Sequence, residues 1–227
     1  RIEGLQGHAH SQSGLRLGAC ATMAQLLRDP ELQASYGALM DGAATVGSVQ
    51  IRTRATVVGN VCNATPCADT VPALQALQAM ARVVGPGRER LVPLSQFFVG
   101  PGMTVLESGE LVVAVEVPQP PPASGSAYAR HTTRAAMDLA NVGVAVWLQL
   151  DSDGRMCRDA AVGLGAVAPT PVRAARAEER LRGSELEPQV IEEAAGAAAA
   201  EARPIDDVRA SADYRRQITR VLARRMI

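Results

Sequence analysis

Apolar residues change their spacing several times along the chain, and each change marks an element. Leu15 and Leu17 alternate with polar neighbours and predict a short strand over 15–18. Thr22 and Gln25 then stand at capping-box spacing before Leu26 and Leu27, which opens a helix. A second helix is predicted over about 31–44. Val49, Gln50 and Ile51, and then Thr56, Val57 and Val58, are rich in β-branched side chains and predict strands, the second running into a loop at Gly59 and Asn60. From Thr70, read as an N-cap, the apolar positions Val71, Leu74, Leu77 and Met80 recur at helical spacing. Strands are predicted again over 82–84, 91–94 and 110–117, so the first half reads as mixed α/β.

The segment 118–122 carries four prolines in five residues, and successive prolines remove backbone donors and fix φ, which excludes a helix or central strand. A domain boundary is placed there, dividing the chain into 1–122 and 123–227. Beyond it, strands are predicted over 126–132, 141–150 and 155–167, with a turn at 151–154, followed by helices over 172–181, 187–201 and 206–226. The fold class is α+β: a mixed α/β domain followed by a small antiparallel sheet with helices on one side.

Composition narrows the function classes. In 227 residues with 47% apolar content, 23 acidic and 23 basic side chains balance, so no net field draws nucleic acid. Every basic side chain among them is arginine. No apolar run is long enough for a membrane span, and the start Arg1, Ile2, Glu3, Gly4 has no signal-peptide character, so a cytoplasmic location is expected. Four dispersed cysteines, Cys20, Cys62, Cys67 and Cys157, predict free thiols.

The stretch 55–70 is the most informative for chemistry. A run of small polar residues leads into a helix, the kind of turn whose free N–H groups face a phosphate or ribityl chain. An ordinary connection, with Asn60 and Asp69 making side-chain turns and caps, explains the same residues equally well. Other signals are weaker. Asp151 and Asp153 before Gly154 lack the remaining ligands of a calcium loop and read as a hairpin turn. Gly163, Gly165 and Ala168 imitate a dinucleotide fingerprint, but Pro169 and Pro171 follow at once. Cys62 and Cys67 have no second pair at metal spacing. His8 and His10 read as a mobile tail, and His131 has no evident catalytic partner.

The stretch 55–70 resembles the second FAD-binding loop of the medium, flavin-carrying subunits of xanthine dehydrogenase, carbon monoxide dehydrogenase and related molybdenum hydroxylases. There a Thr-x-Gly-Gly-Asn turn precedes an Asn-Ala-Ser-Pro-like segment and an aspartate. The likeness extends in order through Gln50 to Arg52, Pro93 to Gly102, Glu110 to Pro118, Tyr128, Arg134 to Ala140, Gly165 to Pro171 and Asp207 to Arg215. Two departures stand out. Val58 occupies the place of the family's first glycine, where a β-branched residue requires negative φ. The family's first glycine-rich FAD loop lies upstream of the region matching Arg1, so the chain reads as a fragment.

The resemblance implies that Thr56, Gly59 and Asn60 contact the phosphate and ribityl part of FAD, that Ala68 and Asp69 line the same groove, and that Leu111 or Val112 packs near the isoalloxazine. It places Arg130 where relatives have a lysine near the flavin; read by itself, Arg130 is equally a solvated strand residue. It further implies an oxidoreductase subunit in a heterotrimer. A large partner holds the molybdenum cofactor, a small partner carries two [2Fe-2S] clusters, and electrons pass through FAD on this chain to NAD, a quinone or oxygen. The competing reading is a structural or assembly component that binds no FAD.

Overall fold

The computed structural model describes residue 2 and residues 4–227, so Arg1 and Glu3 of the expected leaderless start lie outside the described residues. The chain opens with a hairpin, β1 (His8–Ser11) and β2 (Gly14–Gly18), in which His8 pairs with Leu17 and His10 with Leu15. The histidines expected in a mobile tail therefore sit in an edge strand, because Leu15 and Leu17 bury themselves and carry their hairpin partners with them.

Six short helices follow: α1 (Met23–Leu26), α2 (Pro30–Ser35), α3 (Gly37–Thr45), α4 (Val49–Arg52), α5 (Val57–Cys62) and α6 (Thr70–Ala76). Then come β3 (Met80–Gly85), β4 (Arg88–Pro93), the small hairpin β5 (Phe98–Gly100) and β6 (Met103–Thr104), and β7 (Leu111–Pro118). β1, β2, β7, β3 and β4 form, in that order, an antiparallel sheet.

Four expectations are corrected here. The predicted strands at 49–51 and 56–58 are the helices α4 and α5. Ser48 caps α4 by accepting the Ile51 N–H, and Thr56 caps α5 by accepting the Gly59 N–H. Each cap satisfies an orphan donor, and that local bond outweighs the weak strand preference of β-branched residues. Among the described residues, strand-like pairing survives in these segments as a single bridge between Thr22 and Thr56. The helix expected over 31–44 is broken at Tyr36, where φ −127° and ψ 45° leave the helical region and the ring goes into the core. The helix from Thr70 stops at Ala76, and Met80 begins β3 instead of extending the helical face.

After the proline segment, β8 (Ser124–His131), β9 (Val142–Leu150), β10 (Cys157–Gly165) and β11 (Val172–Arg173) form a second antiparallel sheet in the order β11, β10, β9, β8. It is followed by α7 (Ala175–Leu181), α8 (Pro188–Glu201) and α9 (Ala212–Met226). The helix expected from 172 starts only at Ala175, and the one expected from 206 starts at Ala212. Asp207 takes the N–H groups of Arg209 and Ala210 in a side-chain turn, and Ser211 caps the helix that follows.

This second sheet carries its own helices on one face, as expected, and the helices α3 and α6 of the first half cover the other. Val142, Val144 and Val146 of β9 pack with α7 to α9, whereas Ala145 and Trp147 turn to the core shared with α3 and α6. Burial on both sides explains why β9 reads as an unbroken apolar run. All four cysteines are free, and burial pushes the Cys62 thiol up to about 11. Asp151 accepts N–H groups from Arg155 and Met156, which makes the 151–154 segment a hairpin turn. Among the described residues no helix is long and apolar enough to cross a membrane.

Candidate functional site

The loop between α5 and α6 forms one wall of a cavity of about 580 Å³. α5 presents Asn60 to it, fixed from the other side: Asn60 Oδ1 accepts the Thr70 hydroxyl at 2.6 Å and the Thr70 N–H at 3.4 Å. With its oxygen engaged, the Asn60 side chain is left with its NH2 group as a donor for the cavity. Val58, in helical backbone and absent from the positive-φ residues, meets the condition set for it and is buried in the core.

Asp69 sits at the N-cap position of α6 but caps nothing, because its carboxylate is taken elsewhere. Oδ1 accepts the Tyr128 hydroxyl at 2.8 Å, and Oδ2 pairs with the Arg130 guanidinium at 2.6 Å. Both side chains of the ion pair are below 10% exposed, at 7% for Arg130 and 9% for Asp69. Burial raises the Asp69 carboxyl above its usual value, and the Arg130 charge and the Tyr128 hydrogen bond oppose that shift. Burial has the larger effect, and the Arg130 charge is the main influence that favours the anion at such depth.

Two glycines make this arrangement possible. A Cβ on Gly42 of α3 would lie 2.7 Å from the Asp69 carbonyl oxygen, so only glycine lets α3 approach the loop this closely. A Cβ on Gly143 of β9 would lie 2.7 Å from the Tyr128 hydroxyl oxygen, so Gly143 leaves the space that the Tyr128 phenol fills on its way to Asp69. The sheet of the second half thus holds a side chain of the first.

The opposite wall comes from 134–139 and from Arg209. Arg134 and Arg209 bring guanidinium groups, each held by a carboxylate, at 3.7 Å to Asp138 and at 3.2 Å to Asp207. Val46, Ile51, Met137 and Leu139 supply apolar surface. A second cavity of about 560 Å³, lined in part by Arg130 and Thr132, adjoins the first at Gly47 and Met137. Together they suit an elongated ligand.

Of the residues expected to act, Asn60, Ala68 and Asp69 come together in the cavity wall, and Arg130 lines the adjoining cavity. Arg130 is no solvated strand residue, and its charge is matched by Asp69 instead of standing free. Thr56 and Gly59 are joined to each other at the α5 cap, by a hydrogen bond of 2.9 Å. Leu111 and Val112 belong to β7 and line neither cavity: Leu111 faces solvent and Val112 lies in the core beneath the first sheet. Alternation along a strand forces that split. Sequence reasoning missed Arg134, Met137, Leu139 and Arg209 as site residues, although the stretches that hold them carried the resemblance.

The residues present fit FAD. An amide donor and two guanidinium groups suit a diphosphate, and the apolar side chains suit a flat ring system, the usual make-up of a small-molecule site.

Comparison with known proteins agrees. Residues 1–120 match the FAD binding domain in molybdopterin dehydrogenase, and residues 127–227 match the CO dehydrogenase flavoprotein C-terminal domain. A xanthine dehydrogenase FAD-binding subunit of Escherichia coli O157:H7 is 31% identical, over 98% of this chain and 76% of its own length. The carbon monoxide dehydrogenase medium chain of Hydrogenophaga pseudoflava is 32% identical, over 100% of this chain and 78% of its own. A solved structure of carbon monoxide dehydrogenase from that organism superposes with a TM-score of 0.94 at 30% identity, covering 100% of this chain and 78% of that one. Quinoline 2-oxidoreductase from Pseudomonas putida 86 gives 0.90 at 27% identity, over 100% and 78% of the two chains. Matched along both halves, the chain belongs to the FAD-binding medium subunits of the molybdenum hydroxylases, the oxidoreductase family of xanthine dehydrogenase and carbon monoxide dehydrogenase.

Proposed function

We propose that this chain binds FAD in the groove between the α5–α6 loop and the 134–139 segment, and that it serves as the electron-transfer subunit of a molybdenum hydroxylase. In that assembly a large partner holds the molybdenum cofactor and a small partner holds two [2Fe-2S] clusters, and the acceptor is NAD, a quinone or oxygen. The observation that carries the reading is the convergence of Asn60, Arg134 and Arg209 on one cavity with apolar walls.

A bound flavin supplies the electron transfer itself, and the protein supplies placement and electrostatics. The Asn60 NH2 group donates to the ligand while Thr70 keeps the amide from turning over. Arg134 and Arg209 offset phosphate charge, each steadied by its carboxylate. Asp69, Tyr128 and Arg130 form a hydrogen-bonded wall, and Val46, Ile51 and Leu139 offer apolar surface to the ring system. No residue has to exchange a proton for this work.

The test is flavin content of the purified complex together with an Asn60→Asp variant. The substitution keeps the acceptor that Thr70 uses but replaces the NH2 donor with anionic oxygen. The wild-type complex is expected to be yellow with stoichiometric flavin, and the variant to bind FAD at least about tenfold more weakly, about 1.4 kcal/mol. A colourless wild-type complex after gentle isolation overturns the reading and leaves an assembly role. Unchanged affinity in the variant moves the phosphate site away from Asn60.

A further inference from the structure

The edge strand β1 places His8 and His10 on one face, since side chains two apart on a strand point the same way. Their hairpin partners, Leu17 and Leu15, are core residues, so both imidazoles lie on the helix-bearing side of the sheet, at its rim. There they meet Asp29, the N-cap of α2. His8 Nε2 lies 2.7 Å and His10 Nε2 3.5 Å from the same oxygen, Asp29 Oδ2. The three possible donor atoms all fall within 4.8 Å of one another.

One of these groups is already held in the orientation a ligand needs, and a second faces it. Asp29 Oδ1 accepts the N–H groups of Glu31 and Leu32, at 2.9 and 3.4 Å, which fixes the carboxylate and leaves Oδ2 aimed at the imidazoles. His10 turns its other nitrogen, Nδ1, toward Glu31 Oε1 at 3.6 Å, while Nε2 faces Asp29. At 3.6 Å this is no hydrogen bond, but it puts a carboxylate within reach of the non-ligating nitrogen, the place of the usual outer support of a metal-bound histidine.

We propose that His8, His10 and Asp29 bind a borderline divalent cation of the Zn²⁺ type. Nitrogen and oxygen donors of this kind suit such an ion, with three protein ligands and water in the fourth position. Bonds of about 2.0–2.1 Å in a tetrahedron put ligand atoms roughly 3.3–3.4 Å apart. The 3.5 Å separation of His10 from Asp29 is close to that, and the 2.7 Å separation of His8 from Asp29 opens by a small rotation of the imidazole as its hydrogen bond is exchanged for a metal bond. The side chains are 18%, 26% and 22% exposed, so an ion reaches them from solvent. A bound ion joins the β1–β2 hairpin to the start of α2, a junction that the His8–Asp29 hydrogen bond spans without it. The competing reading of the same cluster is a hydrogen-bonded His–Asp pair with no affinity for metal.

The test uses the untagged full chain, stripped with a chelator and titrated with Co²⁺ and with Zn²⁺, followed by visible absorption and calorimetry. One equivalent is expected, with a Co²⁺ spectrum that lacks sulfur-to-cobalt charge transfer, and with affinity reduced at least tenfold in His10→Gln and in Asp29→Asn. Asp29→Asn keeps the oxygen that caps α2, so its loss of binding is not a loss of fold. No 1:1 binding by the wild type, undiminished binding in both variants, or a thiolate spectrum pointing to the cysteines each overturns the proposal.

Discussion

Asp69 carries a burden that its neighbours make tolerable. A carboxylate this deep is stable as an anion because Arg130 and Tyr128 meet both its oxygens. Removing one member of a buried pair leaves the other charge uncompensated, which costs about 3–5 kcal/mol, whereas removing both costs less. Asp69→Asn is therefore expected to destabilise the chain by that amount in urea unfolding, and Asp69→Asn combined with Arg130→Met to recover part of it. If the double variant is no more stable than the single one, the pair is not the interaction that matters. Asn60, Ala68 and Asp69 were legible in the sequence because the single stretch 55–70, which carried the resemblance, holds them all. Arg134, Met137, Leu139 and Arg209 were not, because they reach the cavity from segments far along the chain and follow no local period. Tyr128 was visible as a matching residue, but its contact with Asp69 depends on the space left by Gly143, which only packing reveals.

At the scale of elements, α4, α5 and α6 show where periodicity stops being informative. Elements of four and six residues are too short for a period to declare itself, so the caps at Ser48 and Thr56 decide. The end of α6 is hidden for a different reason. The Ala79 N–H reaches the Leu74 carbonyl at 2.9 Å and the Gln78 N–H reaches the Gln75 carbonyl at 3.1 Å, the paired bonds of a Schellman stop. The left-handed residue in it is Gln78, with φ 57°, and not the glycine that announces such a stop in a sequence. Gln78→Gly is expected to stabilise the chain by about 0.5–1 kcal/mol, seen as a higher urea midpoint at constant slope, since a side chain in that conformation carries a steric cost of roughly 1–2 kcal/mol. A lower midpoint contradicts this account. Of the first sheet, β2 was legible from the alternation of Leu15 and Leu17 with polar neighbours, and the central parts of β3, β4 and β7 were read as strands, whereas β1 was not.

For the whole molecule, the sheet order and the second layer of helices over β8 to β10 lay beyond the reach of a single sequence, since they depend on pairings between distant segments. Long-range electrostatics also belongs to this scale. Glu110, at the head of β7, accepts from Arg88, Arg90 and the Glu107 N–H, and those contacts, Arg90 foremost, lower its carboxyl from 4.5 to about 2. A carboxyl depressed in the folded state stabilises it above its unfolded value, and that contribution fades as pH falls from 4.5 toward 2. The stability gap between the wild type and Glu110→Gln is thus expected to be full near neutrality and to close over that acid range in pH-dependent unfolding. A gap independent of pH refutes the assignment.

The β8–β10 sheet, with α3 and α6 on one side and α7 to α9 on the other, is the middle of a sandwich made from both halves of the sequence. The proline segment is thus a seam in the covalent chain and not in the packing. Cleaving it would set two fragments free only on paper: each would carry away a bare apolar face shaped to the other. The groove that Asp69 and Tyr128 complete would exist only where the fragments had found each other again. Flavin capture would then read out reassembly, which makes this seam a natural place to split the subunit into a complementing pair.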